Sequence, residues 1–335
     1  MFCDLWLIAT VVALALAFDF VNGFHDTANA IASPISTRAL NPRFAVLLAA
    51  VMNFVGALTF TGVAKTIGGK IADPMKLEAG LYIVLAALIA AIFWNLVTWY
   101  VGMPSSSSHA LIGALTGAVV AAAGFSAVNA GGFTKIIASL ILSPLVAATV
   151  GYTLMSLVRM VFANANPHRI NNGFRKGQLF TAAFQAFTHG TNDAQKTMGI
   201  ITFALVAGGF QNTLEVALWV KIAAALAMAL GTYAGGWRII KTVGTRIFPL
   251  RPSSGFSADL GSAVTILTAT LLSQPVSTTH VISSSIVGVG LARRSSSVKW
   301  TTTRNMVTTW VFTIPATALV AALSFELLRW IFNVS

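Results

Sequence analysis

Apolar runs follow one another along the whole chain, broken by short polar stretches. Residues 5–21, 44–64, 81–101, 110–130 and 136–162 each approach the ~20 residues that carry a helix across a bilayer. None alternates polar and apolar positions as a membrane strand does, so the runs predict helices. Residues 164–177 form the most polar stretch and predict a loop. Ala15-Leu16-Ala17 has the small-x-small look of a signal-peptidase site. The segment before it carries Asp4 and no base, so the first run is read as a retained span.

The pattern repeats at an offset of about 170 residues, half the chain. Gly23-Phe24-His25-Asp26-Thr27 returns as Gly190-Thr191-Asn192-Asp193-Ala194. Pro104-Ser105-Ser106-Ser107-Ser108-His109 returns as Pro275-Val276-Ser277-Thr278-Thr279-His280, Pro144 as Pro315, and Lys65-Thr66-Ile67-Gly68 as Lys241-Thr242-Val243-Gly244. Four matches in one order mean duplication. The halves are 1–163 and 178–335, joined by 164–177.

Composition agrees with a membrane class: 56% of residues are hydrophobic and 9% charged. The net charge of +12 sits in short loops, which points to cytoplasmic loop bias rather than nucleic acid. Cys3 is the only cysteine, so no disulfide forms within the chain. Loop charge also gives orientation. Residues 236–252 carry Arg238, Lys241, Arg246 and Arg251 with no acid, whereas their counterpart 65–78 balances three lysines against Asp73 and Glu78. Residues 293–304 hold four bases against Lys135 alone, and 37–43 hold two against a neutral partner around Glu215 and Lys221. Matching loops that differ in charge lie on opposite faces, which makes the repeats inverted. The expected fold is an all-α polytopic membrane protein of two inverted-topology repeats. It would have about 10–12 membrane helices, some broken or re-entrant, and a cytoplasmic joining loop. Five crossings per repeat place both termini outside. Such repeats bind substrate and coupling ion near the midplane.

Acids inside apolar helices mark function by default, because hydrocarbon penalises them by at least ~2.5 kcal/mol. Asp26 and Asp193 are such acids, in Asn22-Gly23-Phe24-His25-Asp26-Thr27-Ala28-Asn29 and Thr188-His189-Gly190-Thr191-Asn192-Asp193-Ala194-Gln195-Lys196. Gly23 and Gly190 predict a helix break that frees carbonyls for a cation and amides for an anion. Packing pairs with basic residues are the alternative. In the second motif, proline in the first turn followed by hydroxyls reads as a helix start. Ser105–Ser108 and Ser277–Thr279 would there present amides and hydroxyls to an oxyanion. Simple capping is the alternative. His109 and His280 read as hydrogen-bonding across helices. Asp19 and Asp259 lack counterparts, so helix pairing and transport both stay open for them. Gly113 and Gly117 read as helix packing.

On these residues the chain resembles the inorganic phosphate transporter (PiT) family over its whole length. The resemblance implies phosphate symport, inverted repeats, a homodimer, and a multi-pass place in the bacterial inner membrane. It assigns phosphate to Ser105, Ser106, Ser107, Ser108, Ser277, Thr278, Thr279, Thr27 and Thr191. Ion coupling falls to Asp26, Asp193, Asn29, Asn192, His25, Lys196 and Asn22. No enzyme activity, cofactor or structural metal is implied. The phosphate is cargo, free or as a metal complex, and the coupling ion is a proton or sodium. Sodium-coupled members usually carry G-A-N-D-x-A-N in both halves. Here His25 and Lys196 depart from that pattern, and Asn53 stands where many sodium-coupled members have Glu, so the chain looks like the low-affinity, proton-coupled branch. A histidine beside an acid is the kind of side chain that suits proton coupling. Three rivals remain. A sulfate porter would suit the same hydroxyls but would not need acids that accept a proton. A hydrolase would need one activated serine rather than a doubled set. A channel fits less well than alternating access.

Overall fold

Caps and prolines divide the apolar sequence into twelve α-helices among the described residues, 2–73, 76–77 and 79–333. Glu78, used in the charge comparison, lies outside them. The structure is a computed structural model. The first half holds α1 (Phe2–Ser36), α2 (Pro42–Ala57), α3 (Gly62–Lys70), α4 (Gly80–Val101), α5 (Ser107–Ala123) and α6 (Ala130–Val161). The second holds α7 (Pro167–Ala207), α8 (Leu218–Ala234), α9 (Trp237–Arg246), α10 (Pro252–Leu271), α11 (Thr278–Arg293) and α12 (Trp300–Phe332). A single 3-10 turn precedes α6 at Phe125–Ala127 and α12 at Ser295–Ser297. The two halves therefore match helix for helix.

Three expectations are corrected. The joining segment is not a loop: Asn166 caps α7 by accepting from the His168 and Arg169 amides, and Pro167 takes the first helical position. Residues 167–177 are thus the first turns of a 41-residue helix. Second, α1 and α7 do not break at their glycines. Glycine is needed there for close approach, since a Cβ on Gly23 would lie 2.4 Å from the Met228 carbonyl oxygen and one on Gly190 2.3 Å from that of Asn53. Third, Pro104 and Pro275 stand two residues before the caps Ser106 and Ser277, outside the first turn.

Crossings are also harder to count than the apolar runs suggested. By length and composition α1, α4, α6 and α12 can cross a membrane, and α8 with α9, bent by 70°, makes a fifth. The others are short or too polar. In α7, Gln178, Thr181, Gln185, Thr188, Asn192 and Gln195 recur every three or four positions, and all are buried. This seam faces protein, so α7 needs no apolar surface. Burial is 61% for α4 but 22% for α6 and α12, which places α4 inside and the other two at the periphery.

The halves interlock. α1 packs on α8 and α9 of the other half, and α7 on α2 and α3; likewise α5 lies on α12 and α11 on α6. Gly113 and Gly117 let α5 approach Ile314 and Ala318 of α12, while Gly288 of α11 meets Ala148 of α6, as small-residue packing expects. The basic segments also meet one another: Thr37 bonds Gln178 at 2.6 Å, the Lys299 amide bonds the Ile247 carbonyl at 2.9 Å, and Arg159 bonds the Ala292 carbonyl. The less basic segments do the same through Asn129 to Ile71 and Lys65 to Glu215.

Candidate functional site

The hydroxyl motifs become two helix N-termini lying side by side. Ser106 caps α5, accepting from the His109 amide at 3.0 Å, and Ser277 caps α11, accepting from the His280 amide at 3.2 Å. The His109 and His280 rings touch at a tilt, with centroids 4.4 Å apart, and His280 stacks on Trp310 at 3.9 Å. The two histidines thus meet through ring contact, tilted by 40°, rather than by a hydrogen bond. Ser108 donates to the Val276 carbonyl at 2.9 Å, tying one cap to the other. The free amides of both first turns and the positive ends of both dipoles share one small volume.

Against these ends stand the two acids. Asp26 accepts from Ser107 of its own half and from Thr279 of the other half at 2.9 Å, and His25 Nδ1 lies 2.7 Å from its carboxylate. Asp193 accepts from Thr278 of its own half at 3.0 Å and is ion-paired with Lys196; His189 Nε2 lies 3.3 Å away. Asn29 donates to Thr279 at 2.9 Å, and Lys196 reaches Ser108 at 2.5 Å. Lys196 and Asn29 therefore do the same thing in opposite halves: each reaches the last hydroxyl of the opposite motif. A further matched pair holds the outer edge, with His25 Nε2 3.1 Å from Thr98 and Asn192 donating to Thr270 at 3.0 Å. Every one of these side chains is buried. Charges removed from water survive only when paired or fully hydrogen-bonded, and these are.

The structure brings Ser107, Ser108, Thr278, Thr279, Asp26, Asp193, Asn29, His25 and Lys196 into one cluster, with Asn192 at its edge. Ser105 instead donates to Thr98, and Ser106 and Ser277 are engaged in capping. Thr27 lies apart with Asn53 and Thr232, both at 3.0 Å, and Thr191 bonds the Thr188 carbonyl. Asn22 is buried and faces Asp19 rather than the cluster. Residue reading passed over Thr98, Thr270 and His189. The repeat offset pairs Thr98 with Thr270 and could have found them. Asp259 faces Ser33, Gln178 and Thr181, with one oxygen unpartnered.

Two hydroxyl-lined helix ends opposed to two acids, buried in a helical membrane fold, define a membrane transporter for a small oxyanion. The profile of the phosphate transporter family matches residues 22–321, and the chain belongs to that family. It is 57% identical over 332 residues to the probable low-affinity inorganic phosphate transporter of Bacillus subtilis, covering 98% of this chain and all of the relative. It is 45% identical over 321 residues to the protein of the same description from Rhizobium meliloti, covering 95% and 96% of the two chains. Among solved structures it is similar to one described as the sodium-dependent phosphate transporter, with a TM-score of 0.91 and 25% identity over 97% of this chain and 99% of that one.

Proposed function

We propose that this chain imports inorganic phosphate across a bacterial inner membrane by cation symport, and that the coupling cation is the proton. The observation that carries the proposal is Lys196. Its ammonium is held between Asp193 and Ser108, at the position that Asn29 takes in the other half. A fixed positive charge there does the work of a bound metal ion, neutralising Asp193 without an ion requirement. Asp26 has no lysine; it is paired with His25, whose imidazole is the side chain suited to proton traffic near neutral pH. The relatives described as low-affinity inorganic phosphate transporters support the phosphate part of this reading.

In this reading phosphate lies at the two helix ends, taking the hydroxyl donors of Ser107, Thr278 and Thr279 that the acids otherwise hold, and that of Ser108, which otherwise goes to the Val276 carbonyl. Asp26 and Asp193 stand ready to accept a hydrogen bond from the protonated oxygen of hydrogen phosphate, a group sulfate lacks. The two halves act as inverted repeats, which the contacts among basic segments support, and the working unit is a homodimer. Sodium coupling is the second reading, favoured by the likeness to the sodium-dependent transporter. The test is radiolabelled phosphate uptake into proteoliposomes with pH and sodium gradients imposed separately. Uptake should follow the pH gradient with sodium absent; strict sodium dependence would overturn proton coupling.

A further inference from the structure

We propose that Asp19 is a cation station of its own, about 10 Å along α1 from Asp26, seven residues at 1.5 Å each. Its occupant carries a single positive charge, either a proton on the carboxylate or a sodium-sized ion among the surrounding oxygens. The inference rests on the cation-symport reading and adds a second stop for the cation.

Asp19 is fully buried, and no hydrogen bond of good geometry reaches either carboxylate oxygen. It points toward Asn22, one turn on, and Thr197 of α7. Both are fully buried too, and apart from Asp19 no group holds the amide atoms of Asn22 or the Thr197 hydroxyl. Asn95 of α4 is also buried, with both amide atoms unpartnered. It lies one turn before Thr98, as Asn22 lies one turn before His25, and Thr98 meets His25. The two helices run the same way: α9 follows α1 from Phe24, against Gly236, to Ala32, against Gly244, and reaches the end of α4 at Gly102. Asn22 and Asn95 therefore fall at one level.

An ionised carboxylate with only two loosely placed neutral donors is costly in a protein interior, and the neighbouring amides and hydroxyl have no other use for their lone pairs. Adding one positive charge satisfies the acid, and a metal ion would engage the amide and hydroxyl oxygens as well. Nearby protein charges do not supply it. Lys196 and Asp193 of α7 act on Asp19, but Lys196 is already shared between Asp193 and Ser108. On α1 the nearest titratable groups are His25 and Asp26, which pair with each other. α4 carries no acid, base or histidine, and α8 carries only Lys221, in its first turn. Asp19 also stands outside the duplicated cradle, because its counterpart in the second half is the buried Ala186. Asp19, Asn22, Asp26 and Asn29 share one face of α1, so the station opens along a polar stripe onto the anion site.

The test uses full-length protein. In proteoliposomes Asp19→Asn should keep phosphate exchange without gradients within ~2-fold of wild type while losing gradient-driven accumulation by ~10-fold or more, and Asp19→Glu should restore it. Thr197→Val, which keeps the acid, should weaken the cation dependence of accumulation by ~3-fold or more, and covers the case in which Asp19→Asn fails to insert. Infrared difference spectra identify the occupant: a carboxylic acid band missing from Asp19→Asn means a proton. Thermal stabilisation by sodium chloride over choline chloride, missing from the same variant, means a sodium-sized ion. Driven accumulation by Asp19→Asn equal to wild type would overturn the station while leaving symport standing. So would the absence of both signatures at residue 19. A wild type that responds to neither gradient would overturn the symport reading and the station with it.

Discussion

Asp193 and Lys196 are an ion pair wholly removed from water, and their energetics differ from those of a surface pair. Removing one partner strands the other charge, which costs about 3–5 kcal/mol. Asp193→Asn should therefore lower thermal stability by that order, and Asp193→Asn with Lys196→Asn should recover most of it, measured by melting of purified protein. Both forms should fail to take up phosphate, since the acid is gone in each; uptake by the stable double variant would remove Asp193 from the site. Asp26→Asn leaves no stranded lysine and should insert normally, yet abolish uptake. Lys196→Asn recreates in the second half the residue found at Asn29, and should weaken transport or make it respond to sodium.

At the scale of the element, the turns that aim the two caps are matched but not equally well made. α4 ends on Gly102 in the left-handed region at φ 74°, where glycine is free of strain. α10 ends on Ser273, its counterpart, at φ 55°, a conformation that costs a side-chain-bearing residue about 1 kcal/mol. Ser273→Gly should raise stability by up to about that amount and leave transport unchanged, read by thermal melting and uptake. The opposite holds at Gly190. A methyl group there would press on the Asn53 carbonyl at 2.3 Å, so Gly190→Ala should destabilise by about 1–3 kcal/mol as α7 is forced off α2. If the melting temperature did not move, the close crossing would be wrong.

For the whole molecule the question is which way each loop faces. The contiguous basic segments, 37–43, 159–176, 236–252 and 293–304, hold two thirds of the lysines and arginines and no acid. A cytoplasmic face collects such loops. In a Cys3→Ser background, a membrane-impermeant thiol reagent applied outside should label a cysteine at Asn333 and spare one at Asn172. Labelling of Asn172 alone would reverse the orientation. Labelling of neither would place both on one side and break the inverted repeat.

Hydropathy, the repeat offset and buried acids were enough for class, duplication and most of the cluster, because those signals are written in residue type and spacing. Asp26, Asp193 and both hydroxyl motifs were legible in that way, as was the family. What tertiary structure decided is which half each group serves. Thr279 reaching Asp26, and Lys196 reaching Ser108, join residues from opposite repeats, and no local pattern encodes a contact that depends on how two halves interlock. The start of α7 was hidden for another reason. Its cap, Asn166 before Pro167, was visible, but residues 167–177 are polar and mostly exposed, with no apolar face to mark a helix, and so read as a loop. Glycine, by contrast, was ambiguous until its tertiary contacts were known. Gly23 and Gly190 allow either a break or a close crossing, and only the carbonyls of Met228 and Asn53 against them select the crossing.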